Sequence, residues 1–374
     1  MGIGPLLPAI QRDLELSHAF AGTLPAIPVL CMGLLAASAG FVLRRAQAGW
    51  AVAGGLCAIA AFGALRSLAP SGPLLVMATF PIGAGIGLAL ALLPVIVKQS
   101  FPDRPAFATG VYTTGLNVGS TAAALLAAPL AAGAGGWRGA LLAFSLASGL
   151  LVGVWFATGA HGVLIQVGSM QSSLGLIAAA VGRRRTVWLL VSLFSAMGIV
   201  FYGLTSWIPD IYVEHGWTPE SAGALVAALT AIAAPVSLLV PWLADRRGSR
   251  RLYLVASCSM MLAASCGIAL APRGGWLWVV LAGVGIGVLF PLLMTLPLDL
   301  ARRPSETAAI AGVMLGIGYS VAALAPTGLG AIRDATGSFA GSVAVLAIVS
   351  AVMVALAALC SPQRLRNDSS YRSG

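Results

Sequence analysis

GAGIGLALALLP, residues 83–94, separates two fold classes. A G-x-G-x-x-G-like run between a strand and a helix cradles phosphate. The same run inside an apolar helix makes a smooth face on which a second helix can pack closely. Around 83–94 the flanks are apolar for the length of a span, and no strand–turn–helix setting frames the glycines. The run also has a second copy. GVGIGV at 283–288 matches GAGIGL at 83–88, TLP at 295–297 comes after it as LLP does at 92–94, and RRP at 302–304 answers DRP at 103–105. GFVLRR at 40–45 and PWLADR at 241–246 fall at nearly the same spacing. The glycines therefore read as packing or gating faces of matched helices in a chain made of two copies in one orientation.

Composition agrees. Of 374 residues, 59% are hydrophobic and only 9% charged, with mean hydropathy +0.96. Soluble domains carry roughly 25% charged residues, so the medium this chain is built for is a bilayer, where each span needs about 20 apolar residues. The net charge of +10 does not mark a nucleic-acid binder, because the arginines sit in short clusters between apolar runs and not on a basic face interleaved with aromatics. Cys31, Cys57, Cys258, Cys266 and Cys360 all fall within apolar runs with no metal-ligand spacing. They read as small core or lipid-facing residues. No positively charged n-region precedes the first apolar run, so no cleavable signal peptide is expected.

Apolar runs of spanning length recur at 19–43, 49–67, 73–97, 106–132, 138–158, 187–208, 219–243, 252–271, 275–298, 307–331 and 339–360. That makes eleven spans, preceded by MGIGPLLPAI, which is too short to cross and reads as the end of a truncated first helix. Alternate loops divide the basic residues sixteen to five. The arginine-rich set includes Arg44, Arg45, Arg183 to Arg185, Arg246, Arg247, Arg250, Arg251, Arg302 and Arg303; the poor set is Arg12, Arg66, Arg138, Arg273 and Arg333. The positive-inside rule puts the rich set, and with it the C-terminus, on the cytoplasmic side.

Polar groups inside spans are costly and face a cavity or a partner. Thr113, Asn117, Ser120 and Thr121 share one helical face, with Tyr112 beside them. Either substrate contact or plain inter-helix hydrogen bonding would account for them. In 187–208, Ser195, Tyr202 and Ser206 share a face; Tyr202 is deep enough to line a cavity, and Trp207 reads as an interface anchor or outer gate. Tyr319 and Ser320 form a polar patch in 307–331. Phe290 and Pro291 interrupt 275–298 after its glycines, as a bending gate or a simple kink. Asp210 and Asp299 stand at span ends, so no carboxylate is expected in mid-span to carry a coupling proton. His18, His161 and His215 read as solvated loop residues. No catalytic triad, metal cluster or cofactor motif can be assembled, so an enzyme is not expected.

Parallel six-helix repeats describe the halves of major facilitator transporters, and PWLADRRGSRR at 241–251 resembles that superfamily's loop signature G-x-L-x-D-R-x-G-R-R. Asp245, Arg246, Gly248, Arg250 and Arg251 match, while Pro241 replaces the usual glycine. A carboxylate at a helix end that pairs with arginines can form in one state and break in another, so Asp245, Arg246, Arg250 and Arg251 read as a conformational latch. In the first-half copy, Arg44 stands where the acid belongs and only Arg45 matches, so the latch would be one-sided. Within the superfamily the chain resembles the cyanate / 2-nitroimidazole transporter family, through GPLLPAI (4–10), LPAIPVLCMGLLA (24–36), LLPVIVKQSFPDR (92–104), TGVYTTGLNVGS (109–120), FYGLTSWIPDIY (201–212), SLLVPWLADRRGSRR (237–251) and LPLDLARRPSETAAIAGV (296–313). Such proteins begin with a full first helix carrying an arginine-proline pair upstream of G-P-L-L-P, whereas this chain begins at Met1.

The resemblance implies an all-α polytopic protein of two six-helix bundles related by a pseudo-two-fold axis: residues 1–160, a cytoplasmic linker 161–186, residues 187–360 and a cytoplasmic tail 361–374. It implies a monomeric carrier, free of cofactor, metal and nucleic acid, that moves a small polar or anionic solute by alternating access, with a coupling proton or ion left open. Two rivals stand beside it: an efflux carrier for hydrophobic compounds, and a membrane-embedded enzyme or transporter-like sensor.

Overall fold

The computed structural model describes residues 2–45, 47–100, 105–159, 162, 185–247, 250–300 and 304–360, with side chains at most of these positions. Among them there is no strand. A short 3-10 turn, Gly4–Leu6, leads into α1 (Leu7–Leu14). Next come α2 (His18–Arg45), α3 (Ala48–Ser67), α4 (Gly72–Ser100), α5 (Pro105–Gly133) and α6 (Trp137–Ala157). The second half carries α7 (Arg185–Glu214), α8 (Pro219–Arg247), α9 (Arg250–Leu270), α10 (Gly275–Leu300), α11 (Pro304–Ala322), α12 (Leu324–Thr336) and α13 (Ala340–Leu359). Among the described residues ten segments are long and apolar enough to cross a membrane, α11 and α12 together counting as one.

Each spanning run of the sequence is a helix, with two differences. The run 187–208 continues to Glu214. The run 307–331 is broken at Ala323 into α11 and α12. Pro326 has no N–H to give to the carbonyl four residues back, that of Ala322, so the α-helical ladder cannot run through this point. The opening segment forms the 3-10 turn and the first part of α1, and Glu15 closes that helix in the left-handed region at φ 50°.

The glycine run explains how the bundle closes. A Cβ on Gly83 would lie 2.9 Å from Pro28 Cα and one on Gly87 2.7 Å from the Cys31 carbonyl oxygen, so both glycines seat α4 on α2. Gly85, between them, faces α3 at Gly55. In the second copy Gly283 and Gly287 face α8, with Cβ positions 2.8 Å from Leu229 O and 2.7 Å from Ala233 O, and Gly285 faces α9 at Ser257 and Met261. The register is the same: first and third glycines toward one neighbour, the middle one toward the other. Other packing pairs also repeat, with α3 on α4 and α6, and α9 on α10 and α13. These are helix faces, and no phosphate loop is built from them.

Between the halves, α2 packs on α11 and α12, and α5 on α8. Gly33 lets α2 come so close that a Cβ there would sit 2.8 Å from Gly316 O. Thr121 Oγ1 of α5 donates to Thr230 Oγ1 of α8 at 3.1 Å. Large apolar side chains such as Leu146, Leu150, Leu270, Met77 and Ile348 point outward and exposed, as lipid-facing surface requires.

Candidate functional site

Two groups of side chains stand out: polar contacts at the arginine-poor end, one of which crosses the seam between the halves, and an aromatic cluster at mid-depth.

At the arginine-poor end, α1 is tied to the α5–α6 turn. Asp13 accepts hydrogen bonds from Trp137 Nε1, at 3.1 Å, and from Arg138, which also pairs with it as an ion. The Arg138 hydrogen bond, seconded by that of Trp137, holds the Asp13 carboxyl below the usual carboxylate range. In the other half, Arg333 of α12 donates to Glu214 Oε1 through Nε at 3.1 Å and Nη2 at 2.8 Å. Asp334, one residue on, turns the other way and crosses the seam. Its Oδ1 accepts the backbone N–H of His18 at 3.0 Å, its Oδ2 that of Ala19 at 2.8 Å, and the His18 ring Nδ1 stands 2.7 Å from Oδ1. The His18 ring packs on Trp207 and Phe339, with centroids 5.8 and 5.6 Å away. A shallow depression of about 470 Å³, bordered by Arg12, Asp13 and Trp137, opens at this end and lies apart from the aromatic cluster.

At mid-depth, Tyr202 of α7 and Tyr319 of α11 face each other edge-on, centroids 6.4 Å apart. Phe194 meets Tyr319 at 5.2 Å and Phe290 of α10 at 6.4 Å, and Phe201 packs on Tyr202 at 5.1 Å. Tyr202, Tyr319 and Leu30 of α2 pack on the buried patch Val29, Ala322 and Ala323, so both halves contribute. Tyr202 lies twelve residues before the end of α7, about 18 Å deep at 1.5 Å per residue. Both tyrosines and Phe290 are partly exposed.

Other candidates are placed differently. Ser206 is 2% exposed and lies where α7 passes the backbone of Gly4. Ser195 and Ser320 donate to the carbonyls four residues back, both at 2.7 Å, and so are satisfied within their own helices. Ser120 is partly exposed on α5. Thr121 forms the inter-helix bond that the sequence left as one of two explanations. Pro291 lies inside α10, which runs unbroken from Gly275 to Leu300. Arg251 is exposed in the first turn of α9. Tyr112, Thr113, Asn117, Arg45, Asp245, Arg246 and Arg250 lie in helices, but their side chains fall outside the described residues, as do His161 and the segments 163–184 and 361–374.

One expectation is corrected, one is narrowed, and one residue is more buried than its position announces. His18 is no solvated loop residue; it opens α2 and is held across the seam, because the first N–H groups of a helix need acceptors and Asp334 supplies them. Of the two readings of Trp207, interface anchor or outer gate, burial removes the first: it is 1% exposed and donates through Nε1 to Pro326 O at 2.8 Å, the proline that breaks α11 from α12. Asp210 stands near the end of α7, where the sequence places it, and is buried there at 7% exposure, its Oδ2 without a hydrogen-bond partner in the structure.

Residues 1–326 match the family model described as Major Facilitator Superfamily. The 2-nitroimidazole transporter of Escherichia coli strain K12 is 29% identical over 360 residues, 96% of this chain and 90% of that protein. The cyanate transport protein CynX of the same strain is 28% identical, over 90% of this chain and 86% of its own. Among solved structures, a bacterial homolog to the human lysosomal transporter Spinster, crystallised inward-facing and unoccupied, superposes with a TM-score of 0.81 at 18% identity, covering 98% of this chain and 94% of that one.

Proposed function

The chain belongs to the Major Facilitator Superfamily, and from that premise we propose that it carries a small polar or anionic solute, cyanate-like or nitroimidazole-like, across a bacterial inner membrane by alternating access. Membrane transport of small solutes is what its relatives share. The carrying observation is the mid-depth cluster where α2 of one half meets α7 and α11 of the other. A site on the seam is reached from either end as the halves rock. Residues 1–160 and 187–360 form the halves in this reading, with 161–186 and the tail on the cytoplasmic side beside the arginine-rich loops. Asp245 with Arg246, Arg250 and Arg251 serves as a latch at that end.

The cluster also favours one solute shape. Aromatic rings stack or meet edge-to-face with planar partners, and Tyr202 and Tyr319 add hydroxyls for directional hydrogen bonds. A planar heteroaromatic ring gains from both, a linear anion only from the second. The test is uptake of labelled 2-nitroimidazole and of labelled cyanate into proteoliposomes of the purified chain, with imposed proton gradients of each sign. Accumulation of 2-nitroimidazole above empty vesicles is expected, and Tyr202→Phe and Tyr319→Phe should raise KM severalfold with kcat little changed. No accumulation of either compound would overturn the substrate assignment. Export of hydrophobic dyes in the same vesicles would favour the efflux reading.

A further inference from the structure

We propose that Asp334 is the gating residue of the arginine-poor mouth, closing it by lending its carboxylate to the N-terminus of α2 in the opposite half. This rests on the alternating-access reading above. The first N–H groups of α2 have no partners within the helix. Ser17 Oγ accepts one of them, that of Phe20 at 3.2 Å, from just before the helix. The two that remain, on His18 and Ala19, are taken one by each oxygen of Asp334, more than 300 residues away in sequence. The carboxylate also sits at the positive end of the α2 dipole, and the His18 ring adds a third contact.

The neighbourhood is arranged so that this contact crosses the seam. Arg333 is occupied by Glu214 of its own half, which leaves Asp334 to the other. Gly22 on α2 passes under the Pro326 backbone, and Gly330 on α12 passes over the His18 carbonyl; a Cβ at either would collide with those atoms. The contact is also reversible by construction. When the halves part, Ser17 stays on α2 and keeps its first turn capped. His18 and Asp334 have side chains 21% and 27% exposed, so water reaches the groups released. A charge-assisted bond at the edge of solvent holds a state without trapping it.

The test is pulsed dipolar spectroscopy on the full chain in lipid, in a background with its five cysteines replaced by alanine. One spin-label pair reports the arginine-poor mouth (Ser71→Cys with Arg273→Cys), and a second the arginine-rich end (Gln47→Cys with Leu252→Cys). Asp334→Ala should raise the ratio of open to closed mouth about tenfold or more and shorten the second distance in step. Asp334→Glu, which keeps a carboxylate, should restore much of the closed population. His18→Ala, which leaves both backbone bonds, should give a smaller opening; it also serves should Asp334→Ala fail to elute as a monodisperse peak. Unchanged mouth distances in Asp334→Ala and His18→Ala, in protein that elutes normally, would overturn the proposal; if 2-nitroimidazole still shifted both pairs reciprocally, alternating access would stand without the latch. Mouth opening with no change at the other end would support the latch and count against alternating access.

Discussion

Replacing Gly287 by alanine tests whether the second glycine run is a packing face. An added Cβ would stand 2.7 Å from Ala233 O, 2.9 Å from Val236 Cβ and 3.0 Å from Ala233 Cα. The nearest of these is about 0.7 Å inside van der Waals contact, and it is backbone, which cannot rotate away. Overpacking of this kind costs roughly 1–3 kcal/mol. Alanine returns about 1 kcal/mol of helix propensity, so the expected net loss is about 0–2 kcal/mol. Gly149→Ala is the control: it lies in α6 with nothing within 4 Å of its Cβ position, so only the propensity term applies and the variant should gain up to about 1 kcal/mol. The readout is thermal unfolding in detergent monitored by tryptophan fluorescence, comparing the two variants directly. Equal stability of Gly287→Ala and Gly149→Ala would refute the packing role. Gly87→Ala, whose Cβ would lie 2.7 Å from Cys31 O, should fall by a similar amount. A loss at Gly287 with none at Gly87 would refute the equivalence of the two runs.

Thr121→Val removes the bond to Thr230 across the α5–α8 seam while keeping shape; the expected loss is about 0.6 kcal/mol, measured by the same unfolding assay, with Thr230→Val giving a similar value and the double variant no more. Asp13 tests a pH dependence. Its carboxyl is lowered below the ordinary value of 3.8 by hydrogen bonds from Arg138 and Trp137, so its contribution is present above that value and fades as pH falls through the lower folded one. The difference in unfolding temperature between wild type and Asp13→Asn should therefore be constant from about pH 7 to pH 5 and shrink below about pH 4; a difference that grew on acidification would contradict the pairing.

Much of the fold was legible because the membrane allows so few solutions. An apolar run of spanning length must be helical, since no water satisfies its backbone, and a repeated glycine register must be met by repeated neighbours. Gly83, Gly85 and Gly87, with Gly283, Gly285 and Gly287, carried that inference. The break at Ala323 was legible in principle from Pro326, but prolines lie inside several of these helices, Pro25, Pro28, Pro129 and Pro209 among them, without ending them. The site was less legible. Hydroxyls at helical spacing look alike in sequence, and only coordinates separate Ser195 and Ser320, bound to their own carbonyls, from Thr121, bound to another helix. Tyr202 could be named from depth and Tyr319 from its polar patch, but their partners Phe194 and Phe201 could not, because nothing in a single helix says which aromatic a neighbouring helix will present. His18 and Asp334 are over 300 residues apart, and no local pattern joins them.

The repeated glycine register makes that last contact informative, because Gly283 and Gly287 face α8 as Gly83 and Gly87 face α2. At the start of α8, the counterpart of the start of α2, Thr218 Oγ1 accepts the Ser221 N–H at 3.3 Å, just as Ser17 serves Phe20. The local cap is thus preserved between copies, but the next two residues are not. Where α2 has His18 and Ala19, each with an N–H to satisfy, α8 has Pro219, which has none, and Glu220, an acid of its own in the first turn. Only one N–H ahead of Ser221 in that first turn, that of Glu220, is left to satisfy, and at the end of α5 stand Ala131, Ala132 and Gly133, with no acid to offer. One copy leaves less of its helix start to satisfy, and the other leaves it dependent on a residue across the seam. The mouth end is therefore tied by a polar contact on the α2–α12 side, whereas on the α5–α8 side the hydroxyl pair of Thr121 and Thr230 joins the halves deeper in the bundle. A charge-bearing contact responds to hydration and to the loss of one atom, whereas helix packing does not. The halves should accordingly part first at α2 and α12, with the α5–α8 seam acting as the hinge.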